Sequence, residues 1–550
     1  MNANAGAVAA GSSLRVDIRR FPWINRLAAD YAFDPSRLSS FFAGDVRDAR
    51  AWQQAIARAQ THPRQRDTLA SILDDQQAGR NAPSAARAAA ARVRDPRTVA
   101  IVTGQQPGLF GGPLFTVLKA LTAVRLADIV RDTYDVPTVP VFWVDAEDHD
   151  WNEVNACGVL DADAALRTVA IDGEAPPPGR PVARIELGPS VEAALEALEA
   201  ALPITEFTPS VLVSLRAAYA PGRGLADAFS RWLESVLGPR GLVVYDSSDP
   251  RGKPLVADLF CKELENPGAT AQLATAAGQA LESLGYHAQV TPHPDSAALF
   301  WLGDARLPIR ATDHGLRIGD RVETREALAS HARQHPEEFS PNVLLRPLVQ
   351  DTLFPTACYV AGPSELAYLA QLRTVYEAFG IPMPLIQPRA SATVVDANAS
   401  RFLSRGDVAF ESLRPQDESA LNVLLQAALP ASVEAAIDGV LHALEERMNV
   451  LAREVSAVDP TLEHAARSAM GRMQDDVNKF RGKVLQAAKR KDENLRRQFK
   501  HAQAQAFPGG DPQERAIGAA AFLSKFGPPL IDRLADGLTL DLGVHTVIAP

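Results

Sequence analysis

The sequence predicts an α/β protein whose parallel sheet is doubly wound and whose last third is a helical hairpin. Three observations carry this. Thr98 to Asp150 reads as a βαβ unit with a glycine-rich first turn, and Cys358 to Ile386 repeats its plan. Between them lie segments of different period. After them, Ile437, Leu441, Leu444, Met448, Leu451, Val455 and Val458 alternate steps of four and three, a heptad seam.

The first unit starts with the β-branched run Thr98 to Thr103, breaks into a loop carrying Gly104, Gly108, Gly111 and Gly112, continues as a long amphipathic helix, and returns to the apolar strand PVFWV. The second has CYVAG as strand, Gly362-Pro363 opening a helix through SELAYLAQLRTVYEAFG, and IPMPLI as the next strand. Gly112-Pro113, a helix, then Val136-Pro137 and Pro140 match Gly362-Pro363, a helix, then Ile381-Pro382 and Pro384. Two such units in one chain make one doubly wound sheet.

The intervening sequence reads as inserts. Residues 14–97 are a helical preface with an aromatic patch at Phe21 to Trp23, stopped by Pro96. Arg167 to Ile171 and Val182 to Leu187 alternate like strands around the proline-rich turn EAPPPGRP, and two helical runs follow. GLVVYD at 241–246 is a further buried strand. HAQV, ALFWLG and LPIRATDHGLRIGDRVET are short strands of a compact mixed piece. Asp459-Pro460 breaks the seam, and Leu462, Ala466, Ala469 and Met473 begin a returning arm that passes Phe480 and Val484, so a projecting antiparallel coiled coil that dimerises is expected. The expected layout is 1–155 preface and first half of the core, 156–240 first insert, 241–268 core segment, 269–340 second insert, 341–415 second half of the core, 416–507 hairpin, and 508–550 a segment docking back on the core.

The chain has 550 residues, 46% apolar and 22% charged, with a net charge of −10. That balance belongs to a globular protein and argues against nucleic acid as a partner, which needs clustered positive charge. Cys157, Cys261 and Cys358 stand far apart, so neither a disulfide framework nor a zinc site is read, and a reducing compartment is expected. The N-terminal twenty residues lack a signal-peptide pattern and no stretch is long enough to span a membrane, which places the protein in the cytoplasm.

The residues with chemistry gather at strand ends, where open α/β sheets bind ligands. Gly104, Gly108, Gly111 and Gly112 allow backbone N–H groups to approach an anion at the helix start, although the spacing matches neither common phosphate fingerprint. A tight loop needing positive φ explains the glycines equally well. Thr103, Gln105 and Gln106 add polar side chains there. Lys119, nearly two turns on, either reaches back to an anion or lies on the surface. PVFWV ends in DAEDHDWNEVN, which sets His149 among Asp145, Glu147, Asp148 and Asp150. An imidazole so placed suits a general base, an amine anchor or a ligand to a divalent metal, whose identity the sequence leaves unknown. No second histidine at ligand spacing accompanies it, so no metal ligand is assigned. Arg346, Gln350, Asp351, Thr352 and Tyr359 lead into the second unit, and Gly362 and Glu365 open its helix.

TGQQPGLFGGPLFTVLKAL, PVFWVDAEDHDWNEVN and QDTLFPTACYVAGPSELAYLAQL, in this order and followed by a helical hairpin, resemble the bacillithiol biosynthesis cysteine-adding enzyme family, the cysteine ligases. The likeness covers nearly the whole chain. It implies a Rossmann-like core with two inserted connecting-peptide subdomains and an antiparallel α-helical coiled coil through which a homodimer forms. It implies a reaction joining the carboxyl of cysteine to the amine of glucosaminyl malate, the last step of bacillithiol assembly. Activating a carboxylate makes ATP the implied cofactor, through an adenylate or an acyl phosphate, although the HIGH and KMSKS signatures of class I synthetases are absent. On this reading His149, Asp148 and Asp351 are catalytic. Thr103, Gly104, Gln105, Gln106, Gly108, Gly111, Gly112, Lys119, Glu147, Asn155, Arg346, Gln350, Tyr359, Gly362 and Glu365 bind substrate or nucleotide. The competing readings are a phosphate-ligand or sugar-nucleotide transferase on the same sheet edge, and a nucleotide-binding scaffold whose coiled coil carries the function.

Overall fold

A computed structural model describes residues 14–173, 175–404, 408–491 and 493–550. The N-terminal stretch read for a targeting signal lies mostly outside these residues, as do single positions of the proline-rich turn and of the polar end of the hairpin. Two compact units divide the chain: residues from 14 to 394 with 512–548, and residues 395–511.

The first unit is built on five parallel strands: β1 (Val99–Gln105), β2 (Thr138–Val144), β3 (Val243–Asp246), β4 (Thr356–Ala361) and β5 (Leu385–Pro388). Their spatial order is β5-β4-β1-β2-β3, so the chain runs outward from β1 in one direction and then resumes on its other side. This is the doubly wound order, with its switch point between β1 and β4. β2 is buried along its whole length, as parallel strands covered on both faces must be.

The crossover helix α1 (Leu114–Tyr134) joins β1 to β2. It is buried nearly all round rather than along one stripe, because the helices Ala519–Phe526 and Pro529–Gly537 pack against it as well as the sheet. The helix α2 (Leu225–Leu237) packs on the sheet through Phe229, whose ring lies 5.9 Å from that of Phe142. The first inserted piece carries the hairpin Ala156–Leu160 with Leu166–Ala170 and two helices. Val182–Leu187 is not the strand its alternation suggests: Val182–Arg184 is a 3-10 turn set by Pro181. The second inserted piece has an antiparallel sheet of Ser296–Leu302, Arg306–Thr312, Gly315–Ile318, Arg321–Glu323 and Phe339–Pro341. HAQV stays irregular. The long helix expected after Gly362 breaks into α4 (Pro363–Leu369) and Arg373–Phe379, preceded in the chain by α3 (Arg346–Leu353). At the break, the Gln371 side chain accepts from the N–H of Val290 and donates to its carbonyl.

The C-terminal strand Val544–Ile548 lies between Leu14–Asp17 and Ser391–Val394 in a separate three-stranded sheet. His545 is buried there, its Nδ1 2.7 Å from Ser391 Oγ and its Nε2 2.9 Å from Thr393 Oγ1. Burial holds its pKa down at about 4, with Arg389 acting in the same direction and Glu514 against it. The unfolded chain therefore binds more protons than the native one between about pH 6.5 and 4. Stability contributed by neutral His545 is complete above that window and falls through it as the pH drops, by about 3 kcal/mol in all. Urea unfolding between pH 4 and 7 is expected to show this slope in the wild type and a shallower one in His545→Gln.

In the second unit, Ala431–Ser456 and Thr461–Lys491 form the antiparallel hairpin. Ile437 is buried and Leu441, Leu444, Met448 and Val455 are half-buried, as the seam predicts, whereas Leu451 and Val458 are exposed. In the returning arm Ala466, Ala469, Val477 and Val484 are half-buried, while Leu462, Met473 and Phe480 are exposed, the last two at 46% and 60%. No single described helix is long and apolar enough to cross a membrane.

Candidate active site

At the switch point the ends of β1 and β4 diverge, and a cavity of about 730 Å³ opens above them. β1 supplies Gly104, Gln105 and Gln106 at its end, and the segment after β2 supplies Asp145, Asp148 and Glu153. The second βαβ unit, with α3 before it, supplies Arg346, Tyr359, Gly362, Ser364, Glu365 and Tyr368. The second insert contributes Phe300 and Arg306, and the last two cations are Arg389 and Arg515.

Lys119 and Glu365 tie the two halves together. Lys119 is buried, not a surface lysine, and its ammonium donates to the Gly104 carbonyl at 2.5 Å and Gln105 Oε1 at 3.3 Å, and lies 2.6 Å from Glu365 Oε2. All three of its donors are used. Glu365 also accepts from the Tyr359 hydroxyl at 2.6 Å and the Gly362 N–H at 2.7 Å, fixing the start of α4. Burial alone would raise this carboxyl, but Lys119 holds it below its usual range. The pair is thus a charged rivet between β1 and β4.

Asp145 follows β2 directly, with its N–H bonded to the Gln105 carbonyl at 3.0 Å. Burial holds its carboxyl up at about 6, against the pull of Arg346, whose Nε lies 3.8 Å away. Arg346 is itself aimed by the Tyr368 hydroxyl at 3.0 Å and Gln350 Oε1 at 3.3 Å. Asp148 takes a hydrogen bond from Gln106 and another from Arg306, whose guanidinium stacks 4.2 Å from the Phe300 ring centre.

Half of the sequence-derived site does not reach this cavity. His149 is partly exposed outside the lining, with Nδ1 3.4 Å from Asp148 Oδ1. Asp351 is buried outside the lining, accepting from the Tyr376 hydroxyl at 2.6 Å and Gln350 Nε2 at 2.9 Å. Gln350 acts through Arg346. Glu147 is spent on an ion pair with buried Lys253. Thr103 donates to the Val360 carbonyl at 3.0 Å and staples β1 to β4. Asn155 ends the short helix Trp151–Val154, its carbonyl accepting from Ile171.

The glycine turn is also a packing device. Tyr219 Oη accepts from the Gly111 N–H at 2.8 Å and donates to the Gly108 carbonyl at 2.9 Å. Gly111 has φ +90, and a Cβ there would fall inside the Trp232 ring. Gly112 has φ +68, and a Cβ on Gly108 would stand 2.8 Å from its Cα. At the start of α1 the Leu114 N–H is taken by the Ile517 carbonyl and the Thr116 N–H by Pro113. The N–H groups of Gly111, Gly112, Leu114 and Thr116 are thus all taken within the protein.

Sequence reasoning missed Arg306, Phe300, Arg389 and Arg515. Arg306, Phe300 and Arg515 lie outside both βαβ units, and only folding brings them in; Arg389 stands directly after β5, and that position was the signal available for it. Asp145 was visible within the acidic cluster, and its place as the first residue beyond β2 was the available signal. Among the described residues no group of histidine, cysteine and acidic side chains is arranged to hold a metal ion.

A doubly wound parallel sheet with a charged cleft at its switch point, joined to an antiparallel helical hairpin, defines a Rossmann-like α/β protein with a coiled-coil domain. Comparison with known proteins gives the family. Residues 14–390 match the description "Bacillithiol biosynthesis BshC, N-terminal Rossmann-like domain", and residues 392–549 match "Bacillithiol biosynthesis BshC, C-terminal coiled-coil domain". A relative from Salinibacter ruber, named "Putative cysteine ligase BshC", is 38% identical over 95% of this chain and 96% of its own length. Relatives of the same name from Chlorobaculum tepidum and Koribacter versatilis are each 32% identical, over 93% and 95% of this chain and 94% and 97% of their own lengths. The chain belongs to the bacillithiol biosynthesis BshC family.

Proposed function

We propose that this chain is a ligase that joins the carboxyl of cysteine to the amine of glucosaminyl malate, forming an amide. The relatives' name supplies the cysteine ligase class, and the substrate pair is the one that the resemblance carried by the three long motifs implies. The observation that carries the reading is the switch-point cavity, where Asp145, ionised by roughly ten to one at pH 7 for a pKa of about 6, faces the same space as several cations. An amine acceptor arrives as an ammonium. Asp145 takes one of its protons, Asp148 held by Gln106 and Arg306 orients the nitrogen, and the C–N bond forms as a carboxyl C–O bond breaks, the oxygen leaving as water with the two protons the nitrogen sheds. His149 lies too far out for the base role, so His149→Ala is expected to keep turnover within a few-fold.

The glycine turn offers a nucleotide phosphate none of the N–H groups of Gly111, Gly112 or Leu114, which are spent on Tyr219, Leu109 and Ile517. No step is routed through ATP here. Mass spectrometry after incubating the protein with cysteine and glucosaminyl malate, with and without ATP, tests the reaction. A product of the summed mass less water is expected, and its absence under both conditions overturns the reading.

The homodimer belongs to the same proposal. Val440 and Phe480, exposed at 53% and 60%, line one apolar depression of the hairpin with Ile437 and Val477. A second hairpin is the occupant such a surface suits. Sedimentation of Phe480→Glu is expected to give half the mass of the wild type.

A further inference from the structure

We propose that Arg389 and Arg515 form a carboxylate receptor at the cavity, with Arg515 delivered by the C-terminal segment that follows the coiled coil in sequence. This deepens the ligase reading and rests on it for the identity of the carboxylate, the malyl end of the acceptor.

The argument begins with what fixes the two cations. The strand Ser391–Val394 is edged by the short helix Gln513–Ala516. Gln513 acts as a surrogate strand residue there, accepting from the Val394 N–H at 2.8 Å and donating to its carbonyl at 2.7 Å. Glu514 accepts from the Ala392 N–H at 3.1 Å and from Arg389 at 2.5 Å, and takes the Ser391 hydroxyl as well. The next residue, Arg515, is thereby set over the cavity. Its guanidinium lies 5.7 Å from the Phe115 ring centre, and that of Arg389 lies 5.5 Å from the same ring.

Ion pairing leaves one guanidinium at the cavity without a direct partner. Lys119 is matched by Glu365, Arg389 by Glu514, Arg306 by Asp148 and Arg346 by Asp145. Arg515, exposed at the cavity edge, makes no hydrogen bond or ion pair among the described residues; Arg389 repels it while Glu514, Glu365 and Glu153 attract it without reaching contact. Both arginines line the cavity. A guanidinium without a direct partner beside a second that is already oriented suits a carboxylate, which accepts from two donor forks.

The test is isothermal titration of the full chain with malate at low salt, for the wild type, Arg515→Ala and Arg515→Lys, with inorganic phosphate as the competing anion. Malate is expected to bind the wild type, with a loss of about 10- to 100-fold in Arg515→Ala and a smaller loss in Arg515→Lys. Matched thermal melts show that the variants fold. No malate binding to the wild type, equal affinity in Arg515→Ala, or a loss confined to phosphate each overturns the receptor. In turnover the same variant is expected to raise KM for the acceptor while leaving KM for cysteine in place. If no amide product forms with any variant, the ligase reading fails while the malate titration still decides the receptor.

Discussion

Asp145→Asn is expected to lower kcat by about 100- to 10,000-fold, the range a positioned general base contributes. The wild type is expected to lose kcat/KM as the pH falls below about 6, because Asp145 is then protonated and cannot accept from the ammonium. The variant removes the charge but keeps the shape, so the residual activity should lack that acidic limb. A pH profile of both proteins checks this. Retention of the limb in the variant would move the base role to another group, with Asp148 the next in line by position.

The second large effect is on the rivet between the two halves of the sheet. Lys119→Met fits the space but leaves Glu365 with its strongest partner gone and the Gly104 carbonyl without its donor. Breaking a buried pair from one side typically costs about 3–5 kcal/mol, since the other charge stays behind unmatched. Urea unfolding is expected to show a loss of that order. Removing both partners, in Lys119→Met with Glu365→Leu, is expected to recover most of the stability and none of the activity, because the end of β1 and the start of α4 then lose their shared anchor. If the double variant regains turnover, the pair is a stabilising element alone.

These two residues show where sequence reading reaches and where it stops. Both βαβ units were legible because strand and helix periods, glycine-proline starts and the repeat of one plan are local properties. The seam of the first hairpin arm was legible for the same reason. Local pattern failed where neighbours decide. Val182–Leu187 alternates like a strand yet turns at a proline, and Met473 and Phe480 keep a heptad spacing yet point outward. The glycines after β1 satisfy two physical explanations equally, and Tyr219 and Trp232, both distant in sequence, select the packed one.

The sequence by itself determined the class of fold, the two strand ends that meet at the cleft, and membership of the likeness group, because these rest on periodicity and on long contiguous motifs. The tertiary structure decided which polar residues face the cleft. It turned Asp351, Glu147 and Thr103 inward, left His149 outside, and brought Arg306, Arg389 and Arg515 from separate segments to the edge where Asp145 waits. The physical reason is that a charged side chain's role depends on whether burial has already given it a partner, and those partners stand tens to hundreds of residues away.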